Sequence, residues 1–415
     1  MFVKKISEKE FYQYMKNYKG LYHFIHDEIY YDYVKERLET FLLGFYKDDT
    51  LAGVAFLSAY PMLRKFRGFS THFGPLLTDF NNKDYELFLQ EIDEFIKNNQ
   101  GLEVTITPNI IYQIRDKDGK VKETDPRNNH EIINIFERNG FKHHGFTKQL
   151  VFNEHLRHQS VLDISGNMDD VFKRMETKTR SNTRRALKQP IEIRYLKPDE
   201  YDEFLRIYKD TEARLGFDEV PSERILDQLR ILHDKMYVVL AELDLEKSLK
   251  TLNEEKLELQ KSLKEQETKH NLETASKKVK NVYKDTKEKM NQLDTQIEDT
   301  LERMDKYGKV IPLSTAMYYY NNNEMVYLYS GSLREHSKFL ATNYVTIKMI
   351  EKAQKMGLKR FNMYGITGNF EEDAPDYGVF QFKRGFGAEI EELPGTFSKI
   401  YHPFIYKVGK LLNRV

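Results

Sequence analysis

The chain contains no cysteine, no tryptophan and no long apolar run. The absence of cysteine excludes disulfides, thiolate zinc sites and thioester catalysis. No segment approaches the roughly 18 apolar residues of a transmembrane helix. The first residues also lack the apolar core and small-residue cleavage site of a signal peptide. We therefore expect a cytoplasmic protein.

The chain also lacks net charge, because 65 Lys and Arg residues balance 65 Asp and Glu residues. Any attraction for nucleic acid or membrane must therefore come from a local patch. There is no HExxH motif and no Walker loop, and His143 and His144 are adjacent and so face different directions. We expect no metal and no cofactor. At 415 residues the chain is long enough for two or three domains.

A segment rich in Lys and Glu, residues 244–307, contains neither glycine nor proline. Its apolar residues recur at steps of three and four, and the period is lost between residues 270 and 276. We predict an antiparallel helical hairpin over residues 244–308 with a coiled-coil seam, each arm about 45 Å long. The predicted seam consists of Leu245, Leu249, Leu252, Leu259, Leu263, Val279, Tyr283, Thr286, Met290, Leu293, Ile297, Leu301 and Met304.

The segments 236–243 and 312–320 on either side of the hairpin have the composition of neighbouring strands. The hairpin is therefore predicted to be an insertion at a turn between two strands of one sheet. Whether it binds a partner or is only a solvated spacer remains open.

The order of predicted helices and strands is the same in both halves of the chain. Each half ends a helix with Gly-Phe, at residues 140–141 and 385–386, and a single helix is expected over residues 168–188. We predict an α/β (α+β) fold of two GNAT-like acyltransferase units in tandem. Residues 1–150 form the first unit, completed by residues 395–415, and residues 151–394 form the second.

Residues 173–188 hold seven cations and one carboxylate, the sharpest charge asymmetry in the chain. Such a segment is suited to a phosphate backbone. Arg180 and Arg184 share one helix face, which favours a contact with phosphate or tRNA over a merely solvated face. The predicted tRNA-binding residues are Lys178, Arg180, Arg184 and Arg185.

Three further segments contain candidate binding or catalytic residues. Arg214 precedes a glycine and can grip a diphosphate bidentately or form a structural salt bridge. Tyr327 and Tyr329 alternate on one predicted strand face, where they line a pocket or face the core. Lys383, next to Phe382, can stabilise an oxyanion if it is partly buried.

The pyrophosphate loop of an acetyl-CoA-dependent GNAT enzyme is missing from both halves. That loop has the form Gln/Arg-x-x-Gly-x-Gly/Ala and opens a helix whose N-terminus binds the pyrophosphate. Its absence argues against simple acetyl transfer.

These features together resemble the Fem aminoacyltransferases, and more narrowly the staphylococcal FemA/FemB-like branch with its Fmh homologues. The resemblance covers essentially the whole chain, hairpin included. It rests on the order of the sequences TRSNTRR (179–185), EARLGF (212–217), YLYSG (327–331) and FKRGF (382–386).

The resemblance implies an enzyme that takes an amino acid, glycine or serine, from aminoacyl-tRNA as co-substrate. The amino acid is added to the cross-bridge amine of a peptidoglycan precursor, commonly lipid II, at the cytoplasmic face of the membrane. A homodimer, or a heterodimer with a sister Fem protein, is expected.

The resemblance also implies roles by position. It assigns the precursor's phosphates to Lys35 and Arg214, the peptide and sugar channel to Tyr112, Tyr327 and Tyr329, and the ester carbonyl to Lys383 with Phe382. Several relatives carry an Asp before the proline that follows one strand, whereas this chain has Thr107 there. An Asp general base is therefore not expected at this position.

Two other functions remain open. One is a GNAT acyltransferase that uses acyl-CoA, and the other is a non-catalytic partner of a sister Fem transferase.

The final segment, residues 399–415, has cations at 399, 407, 410 and 414 and no carboxylate. It is expected either to lie on a membrane surface or to seal the core of the first unit as its last helix. The two interpretations make opposite demands on Phe404, Leu411 and Leu412, which are exposed in the first and buried in the second.

Overall fold

The computed structural model of the chain describes residues 1–63, 65–148, 156–215, 221–270 and 274–412. These residues form a mixed α/β protein with two eight-stranded sheets. The predicted α/β class with an inserted helical hairpin is confirmed.

The part of the chain up to residue 148 begins with a strand and a helix. Its elements are β1 (Phe2–Lys5), α1 (Glu8–Asn17), α2 (Glu28–Lys35), β2 (Glu39–Lys47), β3 (Thr50–Pro61), β4 (Arg67–His72), β5 (Leu76–Leu77), α3 (Asn82–Asn98), β6 (Gly101–Thr107), β7 (Gln113–Arg115), α4 (Glu131–Arg138) and β8 (Lys142–His143).

The part after residue 156 contains the helical hairpin. Its elements are β9 (His158–Asp163), α5 (Met168–Arg174), α6 (Thr177–Ala186), β10 (Ile191–Tyr195), α7 (Tyr201–Leu215), α8 (Ser222–Ile231), β11 (Met236–Asp244), α9 (Leu245–Lys269), α10 (Lys277–Tyr307), β12 (Val310–Tyr320), β13 (Glu324–Ser332), α11 (Ala341–Lys355), β14 (Arg360–Ile366), α12 (Tyr377–Gly385), β15 (Glu389–Glu392), β16 (Phe397–Ile400) and α13 (Pro403–Leu411).

Each half of the chain contributes a strand to the sheet of the other half. The first sheet has the order β1-β2-β3-β4-β6-β16-β8, with β5 paired to β3, and the second has the order β10-β11-β12-β13-β14-β9-β15-β7. In the first sheet β4 and β6 are parallel, and in the second β13 and β14 are parallel. The late strand β16 thus lies in the first sheet and the early strand β7 in the second.

Helices cover both faces of each sheet. Helix α3 packs its buried residues Phe88 and Ile92 on the first sheet together with Phe136 of α4. These residues recur at helical spacing, and the side chain of Asn81 caps α3 by accepting the amide of Asp84 at 2.9 Å. In the second sheet, α11 covers one face, and α7 and α8 cover the other.

The predicted single helix over residues 168–188 is wrong, because the chain breaks between α5 and α6. Met175 is extended, with φ −65° and ψ 143°, and its side chain is buried in the core of the second sheet. The amide of Glu176 donates to the carbonyl oxygen of Gly385 at 2.9 Å. The break therefore attaches the start of α6 to the end of α12.

The helices α9 and α10 form the predicted antiparallel hairpin between β11 and β12. The Tyr283 hydroxyl donates to Glu267 at 2.7 Å near the tip, and Lys256 pairs with Asp294 further down. The predicted seam position Leu301 is exposed, whereas Thr300 is buried. The inner face therefore advances by three residues from Ile297, not by the predicted four. Residues 271–273 of the predicted turn lie outside the described residues.

None of the helices in the described part of the chain combines the length and the apolar character needed to cross a bilayer.

Candidate active site

A cleft of about 1770 Å³ is lined by residues of both sheets. From the first half it takes Phe24, residues of α2, and the ends of β3 and β4. From the second half it takes residues of α7, α8, β13, β14 and α12. Pockets for small molecules are usually about 300–1,000 Å³. This cleft has room for a large or elongated substrate.

Lys383 of α12 lines the cleft with a side chain that is almost fully buried, at 7% exposure. Its Nζ donates to the carbonyl oxygen of Gly365 at 2.6 Å and to that of Tyr364 at 3.2 Å. Burial lowers the pKa of the Lys383 ammonium to about 7, although the charge of Asp376 opposes this shift. An ammonium has three protons to donate. The two carbonyls accept two of them, and because Lys383 lines the cleft, a ligand bound there can accept the third.

The two carbonyls that hold Lys383 come from an irregular part of β14. The pairing of β14 with β9 slips between Asn362 and Gly365, and Tyr364 has a φ of 63° in the left-handed region. The side chain of Asn362 accepts the Tyr364 amide at 2.8 Å and supports this conformation. Backbone strain of this kind concentrates at functional sites. Here the strained residue, Tyr364, supplies one of the two carbonyl groups that accept hydrogen bonds from Lys383.

Asp376 is a buried carboxylate that also lines the cleft. It accepts the amide of Thr367 at 2.8 Å and the hydroxyl of Thr367 at 2.6 Å. These bonds tie the segment after β14 to the start of α12. Asp376 therefore fixes the position of the helix that carries Lys383.

Phe382, the neighbour of Lys383, also lines the cleft. Its ring packs edge-on against the buried ring of Phe386 at a centroid distance of 5.2 Å. The Phe382–Lys383 pair thus presents one apolar and one cationic group to the same cavity.

Arg214 lies at the end of α7, is exposed, and lines the cleft. One of its N–H groups donates to the carbonyl oxygen of Ser332 at 3.3 Å. Helix α7 approaches β13 closely at Gly331, where a Cβ atom would lie 2.6 Å from the carbonyl oxygen of Ile207. This close packing brings the guanidinium to the rim of the cleft. Residues 216–217 of the EARLGF motif lie outside the described residues.

Tyr327 and Tyr329 both line the cleft, but they do not share a strand face as predicted. A bulge shifts the register between β12 and β13, so that Tyr327 pairs with Tyr318 and Tyr329 pairs with Met317. Tyr327 stacks on Tyr318 at 4.6 Å, whereas Tyr329 packs edge-on against Tyr208 at 5.7 Å. The extra residue in the bulge separates the two rings.

Lys35 and Tyr112 are not among the residues that line the cleft. Lys35 pairs with Glu8 at 2.9 Å and with Asp32 at 2.6 Å. Tyr112 packs against the rings of His130 and Phe146 at 4.8 and 5.2 Å. The structure therefore does not bring these two predicted substrate-binding residues together with Lys383.

The predicted tRNA-binding residues lie on α6, outside the cleft lining. Lys178, Arg184 and Arg185 are exposed, and Arg180 is half-buried. Helix α6 packs on α12, where a Cβ at Gly385 would lie 2.2 Å from the Thr179 hydroxyl. The basic helix is therefore in direct contact with the helix that carries Lys383.

Sequence reasoning missed two histidines, His23 and His72, and several other polar groups of the cleft. The His23 ring stacks on Phe73 at 4.0 Å, and its Nε2 lies 3.3 Å from the hydroxyl of Tyr364. Arg224 of α8 and Lys148 add two further exposed cations to the lining. The polar run Thr367-Gly-Asn directly after β14 was the signal available for this part of the site.

Thr107 lies behind the cleft wall, where its hydroxyl accepts the amide of Phe73 at 3.3 Å. The neighbouring His72 lines the cleft, and burial lowers the pKa of its imidazole to about 4. At neutral pH, His72 is therefore an uncharged polar group.

Comparisons with known proteins agree along the whole chain. A family model described as the FemAB family matches residues 6–414. Aminoacyltransferase FemA of Staphylococcus aureus strain bovine RF122 / ET3-1 is 28% identical over 386 residues, which are 92% of this chain and 90% of that protein. The same values hold for Aminoacyltransferase FemA of strain N315.

Among solved structures, the crystal structure of FemX superposes with a TM-score of 0.80 at 21% identity. The superposition covers 98% of this chain and 99% of the FemX chain. The two proteins therefore share one fold.

Proposed function

The chain belongs to the FemAB family, and from this premise we propose that it transfers an amino acid from aminoacyl-tRNA to the cross-bridge amine of lipid II, a peptidoglycan precursor. Glycine or serine is the proposed aminoacyl group, and the reaction takes place at the inner face of the membrane. The observation that carries the proposal is the buried ammonium of Lys383, held in a large cleft with one proton left to donate.

The reaction needs stabilisation of charge more than it needs activation. The acceptor amine attacks the ester carbonyl, the bond to the tRNA ribose oxygen breaks, and an amide forms. The proton that the amine loses balances the proton that the ribose hydroxyl gains. Negative charge develops on the carbonyl oxygen, and a fixed donor is most effective there. Lys383 supplies that donor, while alignment of the two substrates supplies much of the remaining rate.

The size and lining of the cleft support a large, phosphorylated acceptor. Its volume of about 1770 Å³ accommodates a sugar with an attached peptide. Arg214 and Arg224 are exposed guanidiniums in its lining. Guanidinium groups bind phosphate through charge-assisted, bidentate hydrogen bonds. The tyrosines at 327 and 329 add aromatic surface for sugar and peptide.

The position of α6 supports tRNA as the donor. Its cations lie on a helix that packs directly on α12. A tRNA backbone bound by these cations would have its acceptor end close to the helix that carries Lys383. Phosphate contacts of this kind supply most of the affinity of nucleic-acid binding.

The acyl-CoA alternative is disfavoured by the sequences that precede α3 and α11. Such a site uses the exposed N–H groups of a helix N-terminus after a glycine-rich turn. Residues 78–81 before α3 and residues 333–340 before α11 contain no glycine.

The test is incubation of the protein with lipid II, bridge intermediates and a panel of charged tRNAs, followed by mass spectrometry of the precursor. The proposal predicts a gain of one aminoacyl mass with one charged tRNA and none with uncharged tRNA or acyl-CoA. A gain with acyl-CoA would contradict it. No product with any donor, from a folded protein that binds lipid II, would point to the non-catalytic partner.

A further inference from the structure

Helix α13 exposes an apolar stripe at one end of the first sheet, where strand β16 finishes. Phe404 is 80% exposed, Leu411 is 85% exposed and Leu412 is 58% exposed. With Val408, which is also exposed, these residues follow the spacing i, i+4, i+7, i+8 of one helix face. Phe404, Leu411 and Leu412 therefore do not seal the core of the first half, and the expectation that these three side chains are buried is wrong. Gly409 is the buried contact point of the helix.

The chain is firmly fixed just before this helix. The Tyr401 hydroxyl and the Lys399 ammonium both reach Asp93 of α3, each at 2.7 Å. Lys399 is therefore neutralised within the fold and does not belong to the exposed face. Of the other cations of the final segment, Lys407 and Lys410 are exposed, and residue 414 lies outside the described residues.

The stripe lies at the same end of the first sheet as Leu38, one of the residues that line the cleft. Strand β16 ends there at Ile400, which pairs with Glu103 of β6. Strand β2 begins at the same end of the sheet, since Glu39 pairs with Ala59 near the end of β3. The exposed Leu38, directly before β2, lines the cleft. A flat partner that covers α13 would therefore face the same end of the first sheet as Leu38.

The charges at this end of the first sheet favour an anionic partner. Lys407, Lys410 and Lys65 are exposed cations. Of the carboxylates, Glu39 is paired with Arg67 at 3.0 Å, and Glu103 accepts the Tyr60 hydroxyl at 3.2 Å. Glu36 remains exposed beside Arg37. Apolar side chains flanked by lysines are the composition of a helix that lies in a membrane interface.

We propose that α13 docks the protein on an anionic lipid bilayer, with Phe404, Leu411 and Leu412 inserted among the acyl chains and Lys407 and Lys410 at the headgroups. This inference rests on the proposed function, because a lipid-anchored acceptor is reached from the bilayer surface. It adds the surface of the protein that meets the membrane.

The experiment is sedimentation of the full chain with vesicles of phosphatidylglycerol or phosphatidylcholine that contain no acceptor. The variant is Phe404→Ser with Leu411→Ser. The matched control is Leu257→Ser with Val282→Ser, which removes two side chains on the hairpin that are 52% and 48% exposed. Melting temperatures are measured for both.

We expect the parent and the control to bind phosphatidylglycerol vesicles and the α13 variant to bind at least about tenfold more weakly, with an unchanged melting temperature. A second variant, Lys407→Glu with Lys410→Glu, should weaken binding to phosphatidylglycerol and remove its salt dependence. Equal binding by parent and α13 variant, or no binding by the parent, would overturn the proposal. The proposal would also be overturned if the parent forms a dimer in solution but binds no vesicles, and the α13 variant is a monomer.

A transfer assay with a water-soluble, short-chain acceptor separates this inference from the proposed function. The α13 variant should transfer to that acceptor within about twofold of the parent, because the substituted side chains are exposed and are not among the residues that line the cleft. Vesicle binding without any transfer would support the docking surface and reject the proposed function. Transfer without vesicle binding would do the reverse.

Discussion

The Nζ of Lys383 lies 2.6 Å from the carbonyl oxygen of Gly365, in a stretch of β14 whose regular pairing is interrupted. This contact joins a helix to a strand at the floor of the cleft. Because a second carbonyl, that of Tyr364, lies 3.2 Å away, the ammonium has little freedom to rotate. A pre-organised donor of this kind loses little energy to reorganisation when charge develops on a substrate.

Asp376→Asn should move the pH profile of transfer. The protonated Lys383 is the form that stabilises an oxyanion, and its pKa is about 7. Transfer measured as kcat/KM should therefore fall as the pH rises through that value. The Asp376 charge raises the pKa of Lys383, so its removal should shift the descending limb to lower pH, on the order of one unit.

The matched control for this shift is Thr367→Val. It removes one hydrogen bond to Asp376 but keeps the carboxylate charge. We expect its descending limb to stay in place. A limb that moves equally in both variants would show that Asp376 acts through local structure and not through its charge.

Arg214→Ala should weaken binding of the precursor by about 1.5–3 kcal/mol, the value of a hydrogen bond to a charged group. Titration calorimetry with lipid II in detergent measures this directly. Arg206→Ala is the control, since Arg206 is an exposed arginine of the same helix that does not line the cleft. Unchanged affinity together with lower stability would make Arg214 a structural residue.

Arg180→Glu with Arg184→Glu should weaken tRNA binding and flatten its dependence on salt. The reason is that fewer counterions are released on binding when phosphate contacts are lost. Lipid II affinity should change little. The control, Lys9→Glu with Lys16→Glu, makes the same change of charge on exposed positions of α1. The same salt slope in the parent and the α6 variant would assign these arginines to a solvated helix face.

Excision of the hairpin should leave a folded protein. Asp244 of β11 pairs with Val310 of β12, so a two-residue Asn-Gly turn can replace residues 245–309. The loss of buried Leu245 should cost about 2–3 kcal/mol of unfolding free energy. Leu245→Ala in the full chain provides the comparison. An excised chain that fails to fold would show that the hairpin is part of the core.

The features that could be predicted from the sequence are those set by local pattern. The hairpin follows from spacing along residues 244–308, and the order of four short motifs led to the family that the FemAB match confirms. The location of Lys383 in a cavity also agrees with its motif, although its catalytic role stays a prediction.

The features that could not be predicted depend on partners distant in sequence. The contact of Lys35 with Glu8 joins residues that are 27 positions apart. The separation of Tyr327 and Tyr329 arises from a bulge in the pairing with β12. The carbonyls that hold Lys383 belong to residues 18 and 19 positions earlier. None of these contacts leaves a periodic signal in the sequence.

The most direct test of the account is single-turnover transfer by Lys383→Met. Aminoacyl-tRNA and lipid II are mixed with excess parent or variant enzyme, and the product is followed by mass spectrometry. Methionine keeps the length of the side chain but removes the donor. We predict that the fold and lipid II affinity are retained while the transfer rate falls by about 10²-fold or more. Transfer at the parent rate would remove Lys383 from the mechanism.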